Sequence, residues 1–208
     1  LYATDNGRDL LGDDFPPCEL NRVVRGGFYG WPFANGFGDA DPDFGETNPE
    51  KVAATIPPEH GFRAHNAPLG ITFLRHPDTP PALQGAALVA LHGSWNRSKL
   101  DGYKVVSLHW GPDGSITEQD FLTGFEVDED VIGRPVDVIE GPDGSIYVSD
   151  DYAGAIFRVH RGPATAAAHM PTNETPEEAP ERDRLAALDG DTQEALDLAG
   201  HEVFQRNA

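Results

Sequence analysis

The sequence predicts an all-β fold, about half of a β-propeller, followed by a linker and a short C-terminal α-helix. Three observations carry this prediction. First, a short apolar strand, a polar loop containing Gly and a second apolar strand recur three times in the same order. Second, Gly-Pro-Asp-Gly-Ser-Ile occurs at 111–116 and again at 141–146, each time as a turn leading into a strand. Third, 23 Gly and 18 Pro in 208 residues favour short strands and turns over long helices. Units of this size joined by loops of varied length are the mark of a propeller, and complete propellers have about 4–8 blades of about four strands. Three blade signatures are therefore about half of one. A β-sandwich with coincidental hairpins is the competing fold, and the repeated order of strand, Asp-Gly turn and strand weighs against it.

The first unit is Leu1-Tyr2-Ala3-Thr4-Asp5, a loop dense in Asp and Gly, and a return strand at Leu20–Val24, ending on the aromatic turn Tyr29-Gly30-Trp31-Pro32. It starts in mid-strand without Met, from which the reading expects that preceding sequence is missing. A loop of this composition suits a cation or an anionic cofactor. The second unit covers 87–110 and the third 144–161, where Ile146-Tyr147-Val148-Ser149-Asp150 nearly repeats residues 1–5. The propeller part is thus expected over 1–161. An acidic, Pro- and Ala-rich linker follows over 162–186. The segment 187–208 reads as a helix starting near Asp191-Thr192, with Leu196, Gly200, Val203 and Phe204 on one face.

Charge excludes several functions. Thirty-five acidic residues against 15 Lys and Arg give a formal charge of −20, which repels nucleic-acid phosphates and anionic membrane surfaces. Two explanations of the acidity stand side by side: a solvated acidic surface with an acidic tail, or adaptation to high salt. No apolar run approaches the ~20 residues of a membrane span. The single Cys18 precludes an intrachain disulfide, and no His lies beside it in the sequence to make it a nucleophile.

Several motifs agree in order: Thr4-Asp5-Asn6-Gly7-Arg8-Asp9, Asp13-Asp14 with Glu19-Leu20-Asn21, Tyr29-Gly30-Trp31-Pro32, HNAPLG at 65–70, HGSWNR at 92–97, GRPVDV at 133–138 and YVSDD at 147–151. Together they resemble the soluble quinoprotein glucose/sorbosone dehydrogenases, closest to the sorbosone branch. The resemblance covers about residues 1–161. It implies a six-bladed propeller of which this chain holds the later blades. It also implies pyrroloquinoline quinone (PQQ) and Ca²⁺ as cofactors and a sugar or aldehyde as substrate. A cytochrome c or another acceptor would take the electrons, and the location would be periplasmic or secreted.

PQQ carries three carboxylates and an ortho-quinone, so its pocket needs fixed positive charge. Arginine supplies that charge in a planar fork that grips carboxylates bidentately. Arg8, Arg97 and Arg134 lie in loops beside strand ends, where they can converge on a propeller axis. By resemblance Arg97 falls near the quinone, with Trp95 and Asn96 beside it, and Arg134 falls among the carboxylate-binding arginines. Val136 stands where the glucose enzymes have a second arginine, which weakens part of that contact. The loop carbonyls matching Gly7 and Arg8 hold Ca²⁺ in the family, and Ca²⁺ prefers oxygen ligands of this kind. Asn6 supports the loop or the cofactor. Glu19 matches an acid of a second, structural calcium site, although Cys18 replaces the usual acid beside it. Plainer readings remain open for each. Asp5, Asp9, Asp13 and Asp14 can be turn residues, Arg97 and Arg134 surface ion pairs, His65 and His92 scaffold residues, and Trp31 and Trp95 blade-packing aromatics.

The family's general base is a His in an earlier blade, and no residue here matches its motif. The chain is therefore expected to hold much of a cofactor floor and to be inactive alone. The tail Ala199–Ala208 resembles the first helix of a class I cytochrome c, ahead of the Cys-x-x-Cys-His that binds haem c. A tethered haem domain would raise the local concentration of acceptor. Two other functions compete: a calcium-dependent propeller hydrolase of gluconolactonase type, which needs carboxylates and Asn around an axial metal, and a non-catalytic propeller scaffold, in which the arginines serve no common ligand.

Overall fold

The computed structural model describes residues 1–162; the linker expected over 162–186, from 163 onward, and the helix expected over 187–208 lie outside the described residues. The described residues form three antiparallel blades. The first contains β1 (Tyr2–Asp5), β2 (Cys18–Arg22) and β5 (His60–Phe62), in that spatial order. Between β2 and β5 the chain makes a small pair, β3 (Ala34–Asn35) with β4 (Asp39–Ala40), and the one-turn helix α1 (Pro49–Ala53). The second blade has four strands: β6 (Pro68–Phe73), β7 (Ala87–Leu91), β8 (Lys104–Trp110) and β9 (Ile116–Leu122). A two-residue ladder, β10 (Glu126–Val127) with β11 (Asp130–Val131), leads to the third blade of β12 (Pro135–Glu140), β13 (Ile146–Asp150) and β14 (Ala155–Val159). The expected all-β partial propeller is the fold observed.

The return strand of the first hairpin begins at Cys18, not Leu20. Pro16 and Pro17 carry no N–H and cannot enter the ladder, and the register Asp5↔Glu19 to Tyr2↔Arg22 fixes the rest. The Gly26-Gly27 turn follows, with Gly27 N–H donating to the Val24 carbonyl at 3.1 Å.

Strand β7 shows why the blades stack. All five of its residues are buried, and a strand sends alternate side chains to opposite faces. Ala87, Val89 and Leu91 pack against Cys18, Leu20 and Phe62 of the first blade. Leu88 and Ala90 pack against Val138, Ile146 and Val148 of the third. An uninterrupted apolar run is what a strand buried on both faces requires. Each fully buried Leu or Val contributes about 1.5–3 kcal/mol.

Strand β6 lies against both β1 and β12. Thr4 Oγ1 donates to the Leu69 carbonyl at 2.7 Å, and a Cβ on Gly70 would stand 2.6 Å from the Asp137 Cα. The registers Asp5↔Glu19, Pro68↔Leu91 and Pro135↔Asp150 place the same end of every blade on one rim. Loops 6–17, 63–67, 92–103, 132–134 and 151–154 all emerge there.

Candidate cofactor and substrate rim

The loop after β1 is shaped by its short contacts. A Cβ at Gly7 would lie 2.8 Å from the Pro16 carbonyl oxygen and 2.9 Å from that of Pro17, so glycine is required. Gly7 N–H points at the Cys18 sulfur, 3.4 Å away. Cys18 is fully buried, and burial pushes its thiol up, which makes it a core residue and not a nucleophile. Among the described residues, neither the Gly7 nor the Arg8 carbonyl accepts a hydrogen bond, so both oxygens remain available to a cation.

The Arg8 side chain is already engaged. Its Nη1 donates to both carboxylate oxygens of Asp41, at 2.7 and 2.8 Å, while Nη2 pairs with Asp43. The guanidinium lies over the Phe44 ring, 5.5 Å from its centroid. Burial would push the Asp41 carboxyl up. Arg8, the Asn35 amide and the N–H groups of Asp43 and Phe44 outweigh that and hold it at about 2. The charge of Arg8 is therefore already matched within the chain.

Loop 6–17 is fastened from two neighbouring loops. His65 is buried in the left-handed region, at φ 66°. Its Nε2 donates to the Gly12 carbonyl at 2.8 Å, and its Nδ1 lies 3.2 Å from Asp9 Oδ1. Arg97 donates from Nη1 to the carbonyls of Asp13 and Ala64, and from Nη2 to Asp14 Oδ1 at 3.0 Å. The Ser98 N–H bonds to Asp13 Oδ1 at 3.0 Å and holds that carboxyl below its usual range.

Arg134 reaches the same loop from the third blade. Its Nε and Nη2 donate to the carbonyls of His92 and Gly93, at 3.1 and 3.0 Å, and its guanidinium lies over Tyr103. His92 Nε2 in turn meets Asp151 at 3.0 Å. Gly93 and Gly102 allow this crowding, for a Cβ at Gly93 would strike the Tyr103 ring at 2.5 Å. The three arginines thus engage separate partners: Arg8 two carboxylates, Arg97 the loop of the first blade, and Arg134 two carbonyls beside its own blade.

Unpartnered buried groups concentrate on this rim. Among the described residues, Asn66 Oδ1, Asn96 Nδ2, Arg97 Nε and Asp150 Oδ2 are buried without a hydrogen-bond partner. Such groups are costly unless something meets them. Trp95 beside them is 67% exposed, so it is not a blade-packing aromatic. Glu19 and Asp5 face each other across the β1–β2 register. Burial pushes Glu19 up, with Asn21 opposing and the charge of Asp5 adding. Asp5 keeps access to solvent, yet its surroundings also push it up, against a bond from the Asn6 N–H. No three His, Cys, Asp or Glu among the described residues form a metal-holding group, so a calcium on Glu19 would lean on backbone oxygens. Sequence reasoning missed Asp41 and Asn66. HNAPLG flagged the segment of Asn66, whereas nothing local flagged Asp41, whose partner is 33 residues away.

The rim thus carries both fixed donors and carbonyl oxygens that accept no hydrogen bond among the described residues. The TrAA12-like family, which comprises PQQ-dependent oxidoreductases, matches residues 40–162, and the chain belongs to it: a PQQ sugar dehydrogenase family. The chain is 38% identical over 165 residues to an uncharacterized protein of Borreliella burgdorferi, covering 77% of this chain and 43% of that one. It is 33% identical over 134 residues to a pyrroloquinoline quinone-dependent pyranose dehydrogenase of Coprinopsis cinerea, covering 55% of this chain and 17% of the enzyme. Two solved structures share the fold. One is the calcium structure of the Trichoderma reesei family AA12 enzyme (TM-score 0.59, 23% identity, 76% of this chain and 47% of that one). The other is the holo PQQ domain of pyranose dehydrogenase from Coprinopsis cinerea (TM-score 0.53, 24% identity, 76% and 49%). The chain therefore spans less than half the length of the relatives it matches.

Proposed function

We propose that this chain forms the later blades of a PQQ- and Ca²⁺-dependent sugar or aldose dehydrogenase. The observation that carries this reading is the set of buried donors without partners, Asn96 Nδ2 and Arg97 Nε, on a rim whose Gly7 and Arg8 carbonyls are free. Donors of that kind fit carboxylates, and carbonyl oxygens fit Ca²⁺. In this reading Asn96, Arg97 and Arg134 hold the acidic groups of the cofactor, Gly7 and Arg8 hold the metal, and Asn6 and Trp95 border them. When bound, PQQ supplies a quinone that accepts hydride from a sugar C–H, with Ca²⁺ polarising its carbonyl.

The chain's own residues do the positioning. His65 and Arg97 fix loop 6–17, and Arg134 fixes residues 92–93, so the donors are set before any ligand arrives. The general base comes from outside residues 1–208, and electrons leave to a cytochrome or another acceptor, with haem c in a following domain as one form. The location is outside the cytoplasm, in keeping with a family of secreted and periplasmic quinoproteins. No helix among the described residues is long and apolar enough to cross a membrane.

The test is a PQQ titration, followed by fluorescence quenching, of the parent protein and two variants. Arg134→Ala is expected to weaken binding far more than Arg158→Ala, whose side chain pairs with Asp143 at the opposite end of its blade. Equal effects would contradict the assignment.

A further inference from the structure

The dipeptide Asn-Gly occurs twice in the chain, at Asn6-Gly7 and at Asn35-Gly36. Glycine puts no Cβ beside its nitrogen, so that nitrogen can close on the carbonyl of the preceding asparagine side chain. We propose that Asn6 is a site of spontaneous deamidation and that Asn35 is protected from it. The chemistry needs only water. The Gly7 nitrogen bonds to Asn6 Cγ, the Cγ–Nδ2 bond breaks, and Nδ2 leaves as ammonia with the Gly7 proton. Water then adds to either carbonyl of the succinimide ring and opens its bond to nitrogen. One opening leaves aspartate at position 6. The other leaves isoaspartate, whose main chain runs through the side-chain carbons and is one methylene longer.

The two sites share a sequence and differ in surroundings. Asn6 is exposed, and among the described residues its side chain makes no hydrogen bond. The Gly7 N–H meets only the Cys18 sulfur, at 3.4 Å, and sulfur is a weak acceptor. No bond therefore ties the Asn6 amide down, and water reaches it. Asn35 is 6% exposed and lies in β3 opposite Asp39. Its Nδ2 donates to Asp41 Oδ2 at 2.9 Å, and its carbonyl accepts from the Gly38 N–H at 3.2 Å. There the leaving amide is bound to a buried carboxylate, and ring closure must wait for local unfolding.

The product changes the loop that carries it. Gly7 fits between the carbonyl oxygens of Pro16 and Pro17, which a Cβ would meet at 2.8 and 2.9 Å. A methylene added to the main chain just before Gly7 has no room there unless the Gly7 carbonyl moves. Where that carbonyl holds Ca²⁺, isoaspartate weakens metal binding, and bound Ca²⁺ slows the reaction by stabilising the closed loop. This link to Ca²⁺ rests on the proposed function; the deamidation itself does not.

The experiment ages the metal-free full chain at mildly alkaline pH and follows it by tryptic digestion and mass spectrometry. Cleavage after Arg8, Arg25 and Lys51 puts Asn6 on peptide 1–8 and Asn35 on peptide 26–51. We expect Asn6 to convert at least about tenfold faster than Asn35 in the folded chain, with isoaspartate among the products. In urea the two should convert at comparable rates, and Asn6→Gln should abolish conversion in peptide 1–8. Equal rates at both sites in the folded chain would overturn the proposal. So would an Asn6 that converts in urea and stays intact in the fold. A second arm repeats the ageing with Ca²⁺, which should slow Asn6 several-fold. Conversion at Asn6 that ignores Ca²⁺ would leave the deamidation site standing and count against the metal assignment.

Discussion

Arg97 Nη2 sits 3.0 Å from Asp14 Oδ1, tying a loop of the second blade to one of the first, 83 residues apart in sequence. The same guanidinium also holds the carbonyls of Asp13 and Ala64, while its Nε is buried and free. One side chain thus ties the rim together and keeps one buried donor without a partner. The ion pair with Asp14 adds little, because the Asp14 side chain is 85% exposed. The bonds to buried carbonyls matter more. Arg97→Ala should cost about 2–4 kcal/mol in urea unfolding, since it leaves carbonyls unpaired. Asp14→Ala should cost under about 1 kcal/mol.

Asp41 predicts an acid limb of the stability curve. Its carboxyl is held at about 2 in the folded chain, well below the ordinary range of an aspartate. A carboxyl lowered on folding adds stability that is complete above the unfolded value and is lost as pH falls through the folded one. Stability should therefore drop between about pH 4 and pH 2. Asp41→Asn should flatten that limb and lower stability at pH 7 by about 3 kcal/mol, because Arg8 loses its buried partner. Chemical denaturation at a series of pH values reads both effects.

Glu19 has the opposite sign. Burial raises its carboxyl above the ordinary range of a glutamate, so the folded chain holds that proton more tightly than the unfolded one. Stability then falls as pH rises from about 4.5 through the raised value. In EDTA, Glu19→Gln should raise the melting temperature at pH 7 and make no difference at pH 3.5. A lower melting temperature at pH 7 would show that the charged form is the one the fold stabilises.

Leu88 measures the contact between the second and third blades. It is fully buried and packs against the cluster around Val138 and Val148. Leu88→Ala should cost about 2–5 kcal/mol. Hydrogen exchange should quicken in β12 and β13 more than in β1, since β7 turns Leu88 away from the first blade.

What was legible in the sequence was the repeating part. Ala87–Leu91 reads as a strand because five apolar residues in a row have few other uses. The two Gly-Pro-Asp-Gly-Ser-Ile segments form the same turn: in each, the Asp carboxylate accepts from the Ser N–H two residues on, at 3.1 Å for Asp113 and 3.0 Å for Asp143. Long-range partners were not legible. Asp41 lies in a Gly- and Asp-rich stretch that looks like any loop, and its pairing with Arg8 depends on how residues 33–44 fold back. The small pairs β3–β4 and β10–β11 are too short to show periodicity. The shift of β2 from Leu20 to Cys18 follows from two prolines whose effect depends on register, not composition. Asn66 stood in a flagged motif, but that its Oδ1 has no partner is a property of packing.

If the rim binds PQQ through calcium held by the Gly7 and Arg8 carbonyls, affinity for PQQ must depend on calcium, and equilibrium titration reads that dependence. Protein stripped of metal is titrated with PQQ, first in EDTA and then with excess Ca²⁺. We expect saturable one-to-one binding with Ca²⁺ and binding at least about tenfold weaker in EDTA. PQQ that fails to bind, or binds equally with and without calcium, would contradict it.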